Sequence, residues 1–176
     1  MSMAGKRKAS GTGAVRTSAE SARPRVLFFC ACNSVRSQMA EGLLRALRGD
    51  RYEAYSAGIK PTRVSPAAVR VMAEVGIDIS HQSAKGVETF VGTSFDCVAS
   101  VCGEPKGPCP FTPGTGEGFT CRGCGGCCAF HPFFPAGKRR IHASFGEPEE
   151  PAGAGEEAEA FRRVRDELKD WIEKNF

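Results

Sequence analysis

Cys30 and Arg36 are separated by Ala31, Cys32, Asn33, Ser34 and Val35, and Ser37 follows directly. A thiol and a guanidinium at the two ends of so short a loop can act on one tetrahedral oxyanion. The sulfur attacks the central atom, and the guanidinium offers two parallel donors to its oxygens. Where such a loop runs into a helix N-terminus, its backbone N–H groups converge on the same point, with the helix dipole behind them. The same donors favour a thiolate over a thiol. Cys30 therefore reads as a nucleophile on the floor of an oxyanion cradle spanning Cys30 to Arg36, with the Ser37 hydroxyl able to hydrogen-bond the sulfur.

Chance supplies Cys-x5-Arg often, so the flanks decide its meaning. Val26 to Phe29 is an apolar run suited to a buried parallel strand, and from Ser37 onward Met39, Ala40, Leu43, Leu44 and Leu47 share one helical face. Tyr52 to Ser56 reads as a second strand ending at Ala57-Gly58. Ser65-Pro66 is an N-cap followed by Pro at the first helical position, and Ala68, Val69, Met72 and Val75 form a stripe closed by Gly76. Ser83 to Val91 suits a short helix, Phe95 to Val101 a buried strand, and Arg139 to His142 a weaker strand. Glu156 to Ile172 is the best-marked helix, with Phe161, Val164, Leu168, Trp171 and Ile172 on one face.

Strands separated by helices imply right-handed βαβ units. The fold expected is α/β: a four-stranded parallel sheet with helices on both faces, in one domain over 25–176. Ligands bind such sheets beyond the carboxyl ends of the strands, where Cys30 and Cys102 both fall. Residues 1–24 are Gly, Ser, Ala and basic residues without apolar periodicity and read as a disordered tail. A Cys/Gly/Pro-rich insertion at about 103–137 interrupts the alternation.

The chain has 176 residues, enough for one sizeable core, and a net charge of +4 with Lys and Arg scattered rather than striped. A nucleic-acid surface is not indicated, and an anionic small substrate suffices for so mild a bias. No apolar run is long enough to span a bilayer, and Met1 to Pro24 has no apolar leader segment. Nine cysteines, an odd count with one in an oxyanion loop, point to catalytic or metal-binding thiols in a reducing, cytoplasmic compartment.

The late thiols fall into two groups. Cys102 and Cys109 lie seven apart directly after the third strand. Cys121, Cys124, Cys127 and Cys128, close to His131, have the Cys-x2-Cys spacing of zinc or another thiolate-bound metal, and Cys-x2-Cys-x2-Cys also suits iron–sulfur ligation. A thiol relay and an insertion without order are the other readings of this cluster, and all stay open. Cys97, inside the third strand, reads as a core residue.

Cys30 to Gly42 resembles the signature of the low-molecular-weight protein tyrosine phosphatase fold. The run Ser37-Gln38-Met39-Ala40-Glu41-Gly42 is similar to the thioredoxin-coupled arsenate reductases of that fold, because the phosphatases usually carry Pro where Gln38 stands. Cys102 and Cys109, with Pro110 after the latter, match the second and third cysteines of those reductases without a gap from Cys30.

The resemblance implies a thiol cascade that converts arsenate to arsenite. Cys30 forms an arsenic–sulfur adduct, Cys102 attacks the adduct sulfur, and Cys109 then attacks Cys102. A Cys102–Cys109 disulfide is left for thioredoxin or a similar dithiol. It also implies a carboxylic acid before the last helix. Here that is Glu147-Pro148, matched by its spacing from His142, or Glu150-Pro151, with no Asp in the segment.

Asn33, Glu41 and Ser56 match positions that in some relatives bind potassium, but Lys85 stands where the last ligand there is an aspartate. No cofactor requirement is therefore expected. Cys32 stands where relatives have Gly, and Val35 where they usually have Cys; Cys32 reads as a bystander that narrows the loop. The chain is thus expected to be a monomeric arsenate reductase. A phosphatase using only Cys30, Arg36 and an acid is the alternative, as is a non-catalytic protein that binds arsenic or a soft metal through the 121–128 cluster.

Overall fold

A computed structural model describes residues 23–103, 136–146, 148 and 154–176. The tail at 1–22, Cys109, the Cys121–Cys128 cluster, Glu147 and Glu150 lie outside the described residues. The elements in chain order are β1 (Arg25–Cys30), α1 (Arg36–Arg48), β2 (Glu53–Gly58), α2 (Pro66–Ala73), a 3-10 turn (Val87–Phe90), β3 (Ser94–Ser100), β4 (Ala136–His142) and α3 (Ala154–Asn175). The four strands form one sheet in the order β2-β1-β3-β4, and every pairing is parallel.

β1 lies inside the sheet and is buried from Val26 to Cys30. Successive side chains of a strand point to opposite faces, and β1 feeds two cores. Val26, Phe28 and Cys30 join Met39, Leu43 and Leu44 of α1, Val71 and Met72 of α2, and Val164, Leu168 and Ile172 of α3. Leu27 and Phe29 join Val87 and Phe90 of the 3-10 turn, with Phe95 and Val98 of β3. On this second face Tyr55, Phe90 and Phe95 pack edge to face with centroids 5.5–5.9 Å apart. Phe28 and Phe29 are both fully buried, so each contributes about 1.5–3 kcal/mol by leaving water.

α2 begins as its sequence dictates. Ser65 accepts from the Ala68 N–H, and Pro66 occupies the first turn, where its missing N–H costs nothing. Gly76 takes the left-handed conformation (φ +77°) after this helix. α3 is fastened to α2 by the buried Arg165, whose Nη1 donates to the Val71 carbonyl at 2.8 Å, and by Arg162 on Glu74. Parallel pairing brings the carboxyl ends of all four strands to one side of the molecule. Cys30, Gly58, Cys102 and the segment after His142 meet there.

Candidate active site

The loop between β1 and α1 is held from outside. Its carbonyls are occupied one by one: Ala31 accepts from the N–H groups of Ile59 and Lys60, Cys32 from Thr62 and Ser34 from Ser65, at 2.9–3.1 Å. Val35 accepts from Met39 in the first turn of α1, and Asn33 from the Gln38 side chain at 3.1 Å. A trans peptide directs its N–H opposite to its carbonyl. Five carbonyls turned away from the loop centre therefore turn the N–H groups towards it. Behind them, the first turn of α1 carries no acidic residue, so its dipole is open to an anion.

Cys30 lies at the bottom of this ring and is buried. Its sulfur accepts from the Asn33 N–H at 3.2 Å and lies 2.9 Å from the Ser37 hydroxyl. Arg36 is buried as well and donates from Nη1 to the Phe145 carbonyl at 3.1 Å. Gly103 closes the same corner: a Cβ there would lie 3.5 Å from Arg36 Nη1 and 3.7 Å from Phe145 O. The segment that carries Cys102 is thereby set beside the loop, and Cys102 takes the Phe145 N–H on its own carbonyl at 3.0 Å. Of the sequence-predicted residues, Cys30 to Ser37 and Cys102 are brought to one corner.

Asn33 carries the one positive φ (47°) of a non-glycine among the described residues. The demanding backbone position is thus met by an asparagine, which tolerates it, rather than falling on Cys32. A close approach is absorbed elsewhere. A Cβ on Gly58 would sit 2.6 Å from Asn33 N and 2.9 Å from its Cβ, so β2 can end against the loop only without a side chain. In the sequence Gly58 stands only as the end of the second strand. Gln38, in the sequence only a mark of kinship, uses its amide to hold both the Asn33 carbonyl and Asn33 Oδ1.

Glu41 is buried and fully compensated. Ser56 Oγ donates to its carboxylate, Arg45 pairs with it at 2.6 Å, and Lys85 Nζ lies 3.6 Å away. Asn33 Oδ1 accepts the Lys85 N–H at 2.7 Å. Two cations on one carboxylate leave no uncompensated charge for a third, so these residues do not fit a bound potassium ion. Among the described residues no group of three or more His, Cys, Asp and Glu side chains is arranged to hold a metal. The 121–128 cluster lies outside them.

Burial shifts the titration of a thiol in β3 and of an imidazole at the end of β4. Burial pushes the Cys97 thiol up to about 11, as suits a core residue. Burial also lowers His142, whose Nε2 lies 3.1 Å from the Ser144 hydroxyl. Beside the loop opens a groove of about 860 Å³, lined by Ser34, Val35, Thr62, Arg63, Pro148 and Phe161 among others. It gives solvent a way to the loop from the side on which Pro148 stands. No helix among the described residues is long and apolar enough to cross a membrane.

A strand, an anion loop with Cys30 and Arg36 at its ends, and a helix, on a β2-β1-β3-β4 parallel sheet, define the class. The chain belongs to the low molecular weight phosphotyrosine protein phosphatase family, whose model matches residues 25–176. Within it the chain is similar to curated arsenate reductases. Those of Halalkalibacterium halodurans and Bacillus subtilis are each 38% identical over 144 residues, covering 81% of this chain and 88% of the relative. A solved structure described as an arsenate reductase in the phosphate binding state is 30% identical. It superposes with a TM-score of 0.60, over 86% of this chain and 95% of that one.

Proposed function

We propose that this protein reduces arsenate to arsenite with its own thiols. The observation that carries the reading is the corner at which Cys30, Arg36 and the Cys102–Gly103 segment adjoin. A phosphatase has no use for a second thiol at that corner.

The Cys30 thiolate attacks arsenic while Arg36 and the inward N–H groups hold the arsenate oxygens. Glu147 protonates the departing oxygen, which leaves as water, and an arsenic(V)–sulfur bond remains. The Cys102 thiolate then attacks the Cys30 sulfur. The sulfur–arsenic bond breaks, its electron pair stays on arsenic, and arsenite leaves as arsenic(III) while a Cys30–Cys102 disulfide forms. Cys109 exchanges onto Cys102 and releases Cys30. An external dithiol, thioredoxin or one like it, takes up the Cys102–Cys109 disulfide and restores both thiols. Two electrons leave the thiols, and two arrive on arsenic. No resident metal or organic cofactor has a part in these steps, and the chemistry belongs in a reducing compartment.

The test is turnover of arsenate with a thioredoxin system, and of an aryl phosphate, by the wild type and by Cys30→Ser, Cys102→Ser and Cys109→Ser. Arsenate turnover is expected in the wild type alone. Aryl phosphate hydrolysis that survives Cys102→Ser, with no arsenate turnover in any form, would instead mark a phosphatase.

A further inference from the structure

Gln38 is wholly buried, and its Nε2 lies within hydrogen-bond distance of three acceptors: the Asn33 carbonyl at 3.1 Å, Asn33 Oδ1 at 3.0 Å and the Ser83 carbonyl at 3.0 Å. Among the described residues its buried Oε1 has no hydrogen-bond partner. A buried amide that forgoes its acceptor is there for its donors. The reversed orientation is excluded, since it would set Oε1 against three oxygens.

The consequence runs inward. Asn33 Oδ1 is taken by Gln38 Nε2 and by the Lys85 N–H at 2.7 Å, so the Asn33 amide is fixed with its nitrogen towards Ser37. Asn33 Nδ2 donates to Ser37 Oγ at 2.9 Å. An oxygen that accepts on this side has its own proton free for another partner, and Cys30 Sγ is 2.9 Å away. Asn33, Ser37 and Gln38 are all fully buried, so water does not compete for any of these positions.

We propose that Gln38 is a positioning residue for Cys30: by clamping the Asn33 amide, which donates to Ser37 Oγ, it turns the Ser37 hydroxyl towards donating to the sulfur. The inference rests on the reading of Cys30 as the nucleophile. It adds the part of the loop that sets the direction of the hydrogen bond. A hydroxyl that donates stabilises a thiolate and the departing sulfur alike, whereas one that accepts stabilises only the thiol.

The experiment measures the rate at which iodoacetamide alkylates Cys30 between about pH 5 and 8, read by peptide mapping, with folding checked by circular dichroism. Gln38→Met keeps the length and removes the donors, and Gln38→Leu removes them with a different shape. Both are expected to slow alkylation near pH 6 about 5- to 10-fold, as the loss of one charge-assisted hydrogen bond would. Asn33→Asp, which cannot donate to Ser37, should do the same without touching Gln38.

In a Ser37→Ala background both Gln38 changes should be silent, because the relay ends at that hydroxyl. Slowing of equal size in the Ser37→Ala background would overturn the proposal by making Gln38 a general support of the fold. Wild-type rates in both Gln38 variants would overturn it too. The alkylation assay needs no arsenate, so its outcome is independent of whether the wild type turns arsenate over.

Discussion

Arg36 Nη1 and the Phe145 carbonyl lie 3.1 Å apart, so one buried guanidinium joins the anion loop to the chain two residues ahead of Glu147. The guanidinium proposed to hold the oxyanion is thus also an anchor for the Phe145 carbonyl. Arg36→Lys keeps the charge and loses the fork. Arsenate kcat/KM is expected to fall about 10²–10³-fold, the usual worth of a donor aimed at a developing oxyanion. Steady-state kinetics should show kcat falling along with binding. A rise in KM alone would mean that Arg36 does no more than capture the substrate.

The order of the cascade can be trapped. After a single arsenate turnover without external reductant, peptide mapping of the wild type should find a Cys102–Cys109 disulfide. In Cys109→Ser it should find Cys30–Cys102. A Cys30–Cys32 bridge, or one into the 121–128 cluster, would show that the resolving thiol lies elsewhere.

Lys85 places an ammonium 3.6 Å from the buried Glu41 carboxylate, as a second cation beside Arg45. The wild type should melt at the same temperature in potassium chloride and in choline chloride at equal ionic strength. Lys85→Met should cost about 1–2 kcal/mol, since Arg45 remains on Glu41, and should gain a melting temperature that rises with potassium. Equal melting of Lys85→Met in both salts would show that the tethered charge is incidental.

Cys97 links folding to alkaline pH. Burial raises its thiol from 9.0 to about 11. Below pH 9 both states hold the proton, and the contribution of Cys97 to stability is fully present. Between 9 and 11 the unfolded chain releases the proton while the folded chain keeps it, so that stability is lost as pH rises. Urea titrations of the wild type and Cys97→Ala should diverge over this window, by at most about 2–3 kcal/mol. Parallel curves would show that the thiol is not desolvated in the folded state.

The parts of this molecule legible in its sequence are those with a local signature. β1 and α1 are written in an apolar run and a stripe, and Ser65-Pro66 marks the start of α2 to the residue. The stretch read as a helix over Ser83–Val91 is only a 3-10 turn at Val87–Phe90. Ser83 and Lys85 are there engaged with Gln38 and Asn33 instead of with a helix of their own. β4 starts at Ala136, ahead of the expected Arg139. As the outer strand it exposes Lys138, Arg139 and Arg140 and shows no alternation to read.

Within the site, Cys30, Arg36 and Ser37 are legible because one loop carries them. Gln38 and Gly58 are not, since their importance depends on partners brought close by folding. Ser83 stands 45 positions from Gln38, and a Cβ at Gly58 would strike Asn33.

The carbonyls of the anion loop are gripped by backbone N–H groups from Ile59, Lys60, Thr62 and Ser65. The cradle is therefore cast in a mould, and the mould is a different piece of chain. Fixing each loop residue in free solution would cost about 1–2 kcal/mol, and here that ordering is complete before any anion arrives. A transplant of Cys30–Ser37 into another strand-to-helix turn would carry the reactive atoms and leave the shape behind. To move the site, one must move 59–65 with it.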